Sequence, residues 1–114
     1  MTKTIVLLFF FVLLAFAATA ADDVVTLTGE IVDVHCYTAR GAHGEEHAGC
    51  SNACISRDVP AGLLVGDTLY LLLNEKPVSV KEKVAGLAGK TVKATGKVVE
   101  RNGMKAFLVA CIEP

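Results

Sequence analysis

A chain of 114 residues has room for one domain. Its formal net charge is −1, from 11 basic and 12 acidic residues that are mixed along the sequence. This balance argues against a nucleic-acid partner, because binding a phosphate backbone needs clustered lysine and arginine. The four cysteines and three histidines are the residues that could bind a metal ion, form disulfides or support thiol redox chemistry.

The first 20 residues have the pattern of a secretory signal peptide. Lys3 precedes an apolar run over 5–18, which ends in the small residues Ala18-Thr19-Ala20. The alternative is a membrane anchor, but a span needs about 20 apolar residues. We therefore predict cleavage after Ala20 or Ala21, a domain over 21–114, a periplasmic or secreted location, and no stable membrane insertion after cleavage.

The predicted domain begins with a strand and continues into an unusual segment. Residues 24–34 are rich in β-branched side chains and largely alternate, which predicts a long first strand ending at His35-Cys36. Gly29 interrupts the strand, as is typical of a bend or bulge. The segment from His35 to Cys54 then holds all three histidines and three of the four cysteines. Within it, Glu45 to Ile55 favours a short helix.

The next elements are a hairpin and a second short helix. Two apolar runs, Leu63 to Val65 and Leu69 to Leu73, are joined by Gly66-Asp67, which predicts a β-hairpin. Apolar residues at helical spacing then predict a helix from Val78 to Leu87.

The chain closes with a second predicted hairpin. Lys90 to Glu100 alternates around an internal glycine, Gly96, and Asn102-Gly103 indicates a type I′ turn. Met104 to Ile112 is the predicted last strand. Five strands with a helix between the third and fourth is the order of an oligonucleotide/oligosaccharide-binding (OB) barrel. We predict an all-β protein with short helices: a five-stranded OB-fold-like barrel with a Cys/His-rich insert between strands 1 and 2.

Two stretches resemble known exported proteins. The closing stretch GKTVKATGKVVERNGMKAFLV resembles the last hairpin of small secreted bacterial OB-fold proteins. The pattern GEIVDVHC…H..C...C…P.GLLV…LYLL is similar to a largely uncharacterised group of exported bacterial proteins, which have a strand-end cysteine followed by a C-x3-C pair. The resemblance implies the fold and the compartment. It implies no activity, because a fold shared with nucleic-acid binders does not transfer their function.

The insert contains a candidate set of metal ligands. The side chains of four residues would form one stripe on a helix, because successive steps of four, three and four residues place them within about 60° of one another. These residues are His43, His47, Cys50 and Cys54. Imidazole and thiolate groups suit zinc or copper. One stripe cannot surround an ion, because its ends are about 16 Å apart. We expect two or three residues of the stripe to bind the ion. The best candidates are His47, Cys50 and Cys54, with Cys36 added from the end of the strand. The candidate metal ligands are Cys36, His43, His47, Cys50 and Cys54.

Disulfides are the alternative use of the cysteines, because an exported protein with an even number of thiols commonly pairs them. The pairings are Cys36–Cys50 with Cys54–Cys111, Cys36–Cys54 with Cys50–Cys111, and Cys36–Cys111 with Cys50–Cys54. The last is strained if 50–54 is helical, because both Cβ atoms then tilt the same way. The protein would then be a structural domain without metal or other cofactor, binding another exported protein. One disulfide beside a metal site is a mixed alternative.

A thiol-redox protein is the third alternative. The C-x3-C spacing is one residue longer than the thioredoxin C-x-x-C pattern, and it also differs from the C-x-x-C-H pattern of haem attachment. Cys36 with His43 or His47 has no recognisable oxyanion hole or orienting group beside it. We therefore predict no catalytic residue.

Overall fold

The computed structural model describes residues 23–114, and the predicted signal peptide lies outside this range. Five strands form the body of the domain: β1 (Val25–Asp33), β2 (Ala61–Val65), β3 (Thr68–Asn74), β4 (Thr91–Arg101) and β5 (Met104–Glu113). Three helical pieces lie between β1 and β2: α1 (Val34–Arg40), a 3-10 turn (Glu45–His47) and α2 (Ala48–Ser56). We call residues 34–60 the insert. The strands close in the order β1-β2-β3-β5-β4, which confirms the predicted OB-fold-like barrel.

β1 bends so that it can pair with two different strands. Its first part, from Val25 to Glu30, pairs with β4, and its last part, from Glu30 to Asp33, pairs with β2. The change of partner falls beside Gly29. A Cβ atom at Gly29 would lie 2.5 Å from the Leu64 carbonyl oxygen, so only glycine fits there. The predicted bend is therefore confirmed.

The β4–β5 hairpin has an irregularity at its internal glycine, Gly96, and forms the predicted turn. The pairing register shifts between Thr95 and Gly96, and a Cβ atom at Gly96 would overlap the Leu108 carbonyl oxygen. Asn102 and Gly103 both have positive φ, 51° and 87°, as a type I′ turn requires. Parallel pairing of β3 with β5 completes the barrel.

The core lies inside the barrel and is filled mainly by β-branched residues, leucine and one aromatic ring. Its largest fully buried apolar side chains are Phe107, Ile31, Leu63, Val32, Val84, Val92 and Val109. Each stabilises the fold by about 1.5–3 kcal/mol through removal of apolar surface from water. Among residues 23–114, no helix is long and apolar enough to cross a membrane.

The helix predicted from Val78 to Leu87 is wrong, because this segment forms successive turns instead. Short-range bonds hold them: Lys83 N donates to Val80 O, and Leu87 N donates to Val84 O. Gly86 adopts a φ of 72°, which ends any right-handed helix. The apolar positions were nevertheless informative, since Val80 and Val84 are buried in the core.

The predicted boundaries of the insert also need correction. β1 ends at Asp33 and not at His35-Cys36, because the Asp33 side chain accepts a hydrogen bond from Cys36 N at 3.1 Å and starts α1. α1 ends at Gly41, whose φ of 68° is left-handed. The helix predicted from Glu45 to Ile55 is divided into a 3-10 turn and α2.

Candidate thiol site

α2 is anchored to the barrel by one face and carries its cysteines beside that face. Ser51 and Ile55 are its buried residues. Asn52 Oδ1 accepts a hydrogen bond from Ala88 N at 3.0 Å, which ties the helix to the connection before β4. Cys50 and Cys54 each precede a buried residue by one position, so they form a neighbouring stripe on the helix. Cys50 is exposed and Cys54 is half-buried.

Asp33 is the most unusual polar residue at this end of the barrel. Its side chain is 0% exposed. Oδ1 caps α1 by accepting from Cys36 N, whereas Oδ2 has no hydrogen-bond partner among residues 23–114. Leaving a buried carboxylate oxygen unpartnered is costly, so such an atom needs an explanation.

Arg40 lies against the buried thiol of α1. Its Nη2 donates to Cys36 Sγ at 3.2 Å, and Cys36 is 8% exposed. The pKa of Arg40 is raised, first by this hydrogen bond and then by the charge of Cys36, with smaller contributions from Cys50 and Asp33. The exposed guanidinium therefore lies within electrostatic reach of two thiols and of the Asp33 carboxylate.

Cys54 faces the same carboxylate from the other helix. The pKa of its thiol is raised, first by burial and then by its interaction with Asp33, while a hydrogen bond from Arg57 acts in the opposite direction. Arg57 Nη2 lies 3.6 Å from Cys54 Sγ. An S–H group is a weak donor, and its approach to Asp33 falls outside ordinary hydrogen-bond geometry, so it does not satisfy Oδ2.

Three of the predicted site residues are thus brought to one neighbourhood. Cys36 contacts both Asp33 and Arg40, while Cys50 of α2 lies within electrostatic reach of Arg40 and Cys54 within electrostatic reach of Asp33. Among residues 23–114, no group of three or more His, Cys, Asp or Glu side chains is arranged to hold a metal ion. The structure contains no disulfide bond between the four cysteines, all of which lie within residues 23–114. The thiols are therefore neighbours that do not converge on one point.

The histidines are placed differently from the predicted stripe. His43 lies in the loop between α1 and the 3-10 turn, so its predicted place on one helix with Cys50 and Cys54 is wrong. Its Nδ1 lies 3.1 Å from Glu30 Oε2, and its ring packs edge-on against Tyr37. Gly44 N donates to the other Glu30 oxygen at 2.6 Å, so His43 belongs to a loop anchor. His47 is exposed at the start of α2.

Cys111 lies in a different part of the molecule. It pairs with Thr95 on β4, which pairs with Thr26 near the start of β1. The other three cysteines gather where β1 ends, at Asp33, after about 20 Å of extended strand. A disulfide needs Cα atoms within about 7 Å. The structure therefore does not bring Cys111 to the other cysteines, and each of the three predicted two-disulfide pairings requires it.

Sequence reasoning did not identify three residues of the site: Asp33, Arg40 and Arg57. The signal for Asp33 was its position three residues before Cys36, which is the spacing of a helix-capping aspartate. This spacing was overlooked because the alternating pattern of residues 24–34 predicted that the strand continues past Asp33. Arg40 follows Cys36 by four residues and Arg57 follows Cys54 by three, and these spacings become informative only once the helices are known.

The fold and this site define the class of protein as a small OB-fold-like barrel with a helical, thiol-bearing insert after its first strand. No protein-family model, curated protein or solved structure matches the chain. Function must therefore be argued from the site itself.

Proposed function

We propose that the protein is an exported binding module whose insert holds one transition-metal ion, zinc or copper, through Cys36, Cys50 and Cys54. The observation that carries this proposal is the gathering of three thiols from two helices around one buried carboxylate. Thiolates are strong ligands of zinc and of copper(I). On this proposal the barrel is a rigid holder, and the insert performs the function.

Metal binding requires a rearrangement that the positions of the side chains permit. Arg40 must leave the Cys36 sulfur, and its side chain is exposed and can turn into solvent. The thiols must also lose their protons, as thiols do when they bind metals. His47, three residues before Cys50, is the imidazole nearest to α2 in the chain and is the remaining histidine candidate.

Export and a partner complete the proposal. The pattern over residues 1–20 supports secretion. Cys50 is exposed, so a ligand on another protein has access to the site. We propose that this partner is another exported protein that delivers or receives the ion.

Elemental analysis of untagged protein purified from the periplasm tests this function. We expect about one equivalent of zinc or copper per chain, lost in Cys50→Ser and retained in the matched control Cys111→Ser. Metal well below one equivalent, with no change in Cys50→Ser, contradicts the proposal.

A disulfide-stabilised interaction domain is the second candidate. It is favoured by the nearness of Cys36 to the cysteines of α2 and by the oxidising compartment that export implies. Each disulfide lowers the intact mass by about 2 Da, because each bonded cysteine loses one hydrogen. A mass about 2 Da below the fully reduced value, with two titratable thiols, supports one disulfide among Cys36, Cys50 and Cys54, whereas four free thiols in the native protein exclude this candidate.

A further inference from the structure

One edge of the barrel is open along the last part of β4. β4 pairs with β5 as far as Arg101, but β1 begins at Val25, opposite Gly96, so its pairing with β4 goes no further. Within residues 23–114, no strand pairs with residues 97–101 on the side away from β5. We call residues 97–101 the open edge. Backbone groups at such an edge can pair with a strand of another chain.

The pairing register decides which backbone groups of the open edge face outward. Arg101 and Met104 flank the two-residue turn, where paired residues exchange both of their hydrogen bonds. Hydrogen-bonded pairs alternate along an antiparallel ladder, so every second residue counted back from Arg101 also bonds to β5. The N–H and C=O groups of the residues in between, Val98 and Glu100, therefore point away from β5.

Exposed apolar side chains gather at the same place. Among residues 23–114, six large apolar side chains are exposed, and four of them border the open edge: Val24, Val25, Val98 and Met104. Val25 pairs just before the open edge, with Gly96, and Met104 pairs with Arg101 at its end. An edge that is only protected from other strands carries charge and little apolar surface. Apolar groups grouped beside unused backbone groups are typical of a surface that a partner covers.

The two faces of the open edge differ in charge. Side chains alternate along a strand, so Lys97, Val99 and Arg101 share one face, whereas Val98 and Glu100 share the other. An added strand therefore meets a positive charge at both ends of the first face and a negative charge on the second. Oppositely charged residues on paired strands attract, and like charges directly opposite each other destabilise the pairing.

These charges disfavour a second copy of the chain as the added strand. Two open edges can pair in antiparallel fashion with Val98 opposite Glu100, but this register places Lys97 opposite Arg101 at both ends. The next register places Glu100 opposite Glu100 of the second copy. A shift toward the middle of β4 is blocked, because β1 already pairs there.

We propose that the open edge binds an extended segment of another exported protein as an added antiparallel strand. Two acidic residues of this segment lie opposite Lys97 and Arg101. Between them, apolar residues face Val98 and Val99, and a basic residue faces Glu100. From its amino end the segment reads acid, base, apolar, apolar, acid. In such strand addition, backbone hydrogen bonds supply affinity and the side chains select the partner.

The open edge and the thiol site lie at opposite ends of β1. The strand starts at Val25, beside the edge, and ends at Asp33, where the insert begins. Extended strand of this length spans about 25 Å. A segment bound at the open edge therefore leaves the cysteines of α2 accessible, and this inference stands or falls independently of the proposed metal site.

The test is amide hydrogen exchange, followed by NMR, on the mature protein with two synthetic peptides. One contains Glu-Lys-Val-Val-Asp, and the other contains the charge-reversed sequence Lys-Glu-Val-Val-Lys, each with blocked ends. Without peptide, the Val98 and Glu100 amides should exchange rapidly and the Val99 amide slowly. The first peptide should slow exchange at Val98 and Glu100. The reversed peptide should bind at least about tenfold more weakly, because three cross-strand pairs change from opposite to like charge.

Two substitutions and a control locate the binding. Val98→Pro removes an outward N–H group and leaves the bonds to β5 intact, because proline is tolerated where an edge N–H faces solvent. It should fold and lose binding of the first peptide. Lys97→Glu should also weaken that binding, whereas the same charge change at Lys76, in the loop after β3, should leave it unchanged.

The contradicting outcomes are distinct. Slow exchange at Val98 and Glu100 without peptide means that the protein's own chain or a second copy already covers the edge, which overturns the inference. Binding of neither peptide means that the charges only keep other strands away, and this also overturns it. Equal binding of both peptides, or binding unchanged by Lys97→Glu, does the same. If Val98→Pro does not fold, Lys97→Glu with its Lys76→Glu control decides the question.

Discussion

The barrel buries large apolar side chains, whereas the insert gathers thiols around a buried carboxylate. Phe107, Ile31 and Leu63 are fully removed from water inside the strands. In the insert, Ile55 is the large apolar residue that joins the core, and Asp33, at the junction of β1 with α1, is as buried as the barrel residues. Apolar burial stabilises a fold without a ligand, but an unpartnered carboxylate does not. The comparison indicates that apolar burial stabilises the barrel, whereas the junction with the insert buries a polar group at a cost in free energy.

The largest effect is expected in the barrel, at its central aromatic residue. Phe107 is 0% exposed and packs edge-on against Tyr70, with ring centroids 6.5 Å apart. Phe107→Ala should lower the free energy of unfolding by about 3–5 kcal/mol, because it removes a ring and leaves a cavity. Urea denaturation measures this loss. Met104→Ala, at an exposed position of the same strand, is the control and should change stability by about 0.5 kcal/mol or less.

Alanine substitutions of glycine should have opposite effects in the two regions. At Gly96 an added Cβ overlaps the Leu108 carbonyl oxygen, so Gly96→Ala should destabilise by about 1–3 kcal/mol or more. At Gly49, within α2, nothing lies within 4 Å of the added atom. Gly49→Ala should therefore stabilise by up to about 1 kcal/mol, through helix propensity alone. Thermal unfolding of both variants measures the contrast, and a tolerated Gly96→Ala would show that the barrel closes differently.

The barrel could be predicted because its signals are local. Alternation of apolar residues along a strand and turn residues such as Asn102-Gly103 each act within a few positions, and these predictions are confirmed. The helix predicted over Val78 to Leu87 was wrong because its apolar spacing reflected burial against the barrel and not helix formation. Gly86, which adopts a positive φ, was the local indication that this segment does not form a continuous helix.

The site could be predicted only in part. Cys36, Cys50 and Cys54, which are clustered in the chain, lie in one region of the structure, but their spacing did not predict how they are arranged. The placement of His43 failed because it depends on Glu30, 13 residues earlier in β1. Asp33 was missed because its importance arises from burial, which only the packed structure reveals.

The rate at which Cys54 is alkylated should show how strongly Asp33 raises the pKa of this thiol. Burial and Asp33 raise the pKa of Cys54, so less thiolate is present at a given pH and alkylation is slowed. Asp33→Asn removes one of these causes, so Cys54 should react severalfold faster with iodoacetamide near pH 8 in metal-free protein. Arg57→Ala should slow it, because Arg57 lowers this pKa. Peptide mass spectrometry measures the rate, with Cys111 as the internal reference. Identical Cys54 rates in all three proteins would contradict the described contact.

The smallest effect is expected at the loop anchor of the insert. Glu30→Gln removes the charge that faces His43 but retains an oxygen able to accept from Gly44 N. His43 is largely exposed, so the loss should be about 0.2–1 kcal/mol. It should shrink as salt is raised, because exposed charges are screened. Urea denaturation at low and high salt checks this, and a loss of several kcal/mol would show that the anchor supports the whole insert.

X-ray absorption at the zinc edge, on mature protein loaded with one equivalent of zinc, tests the central claim most directly. We expect sulfur neighbours at about 2.3 Å, as thiolate ligation requires. Cys50→Ser should lower the sulfur count. A shell made only of nitrogen and oxygen, or a shell unchanged by Cys50→Ser, would contradict it.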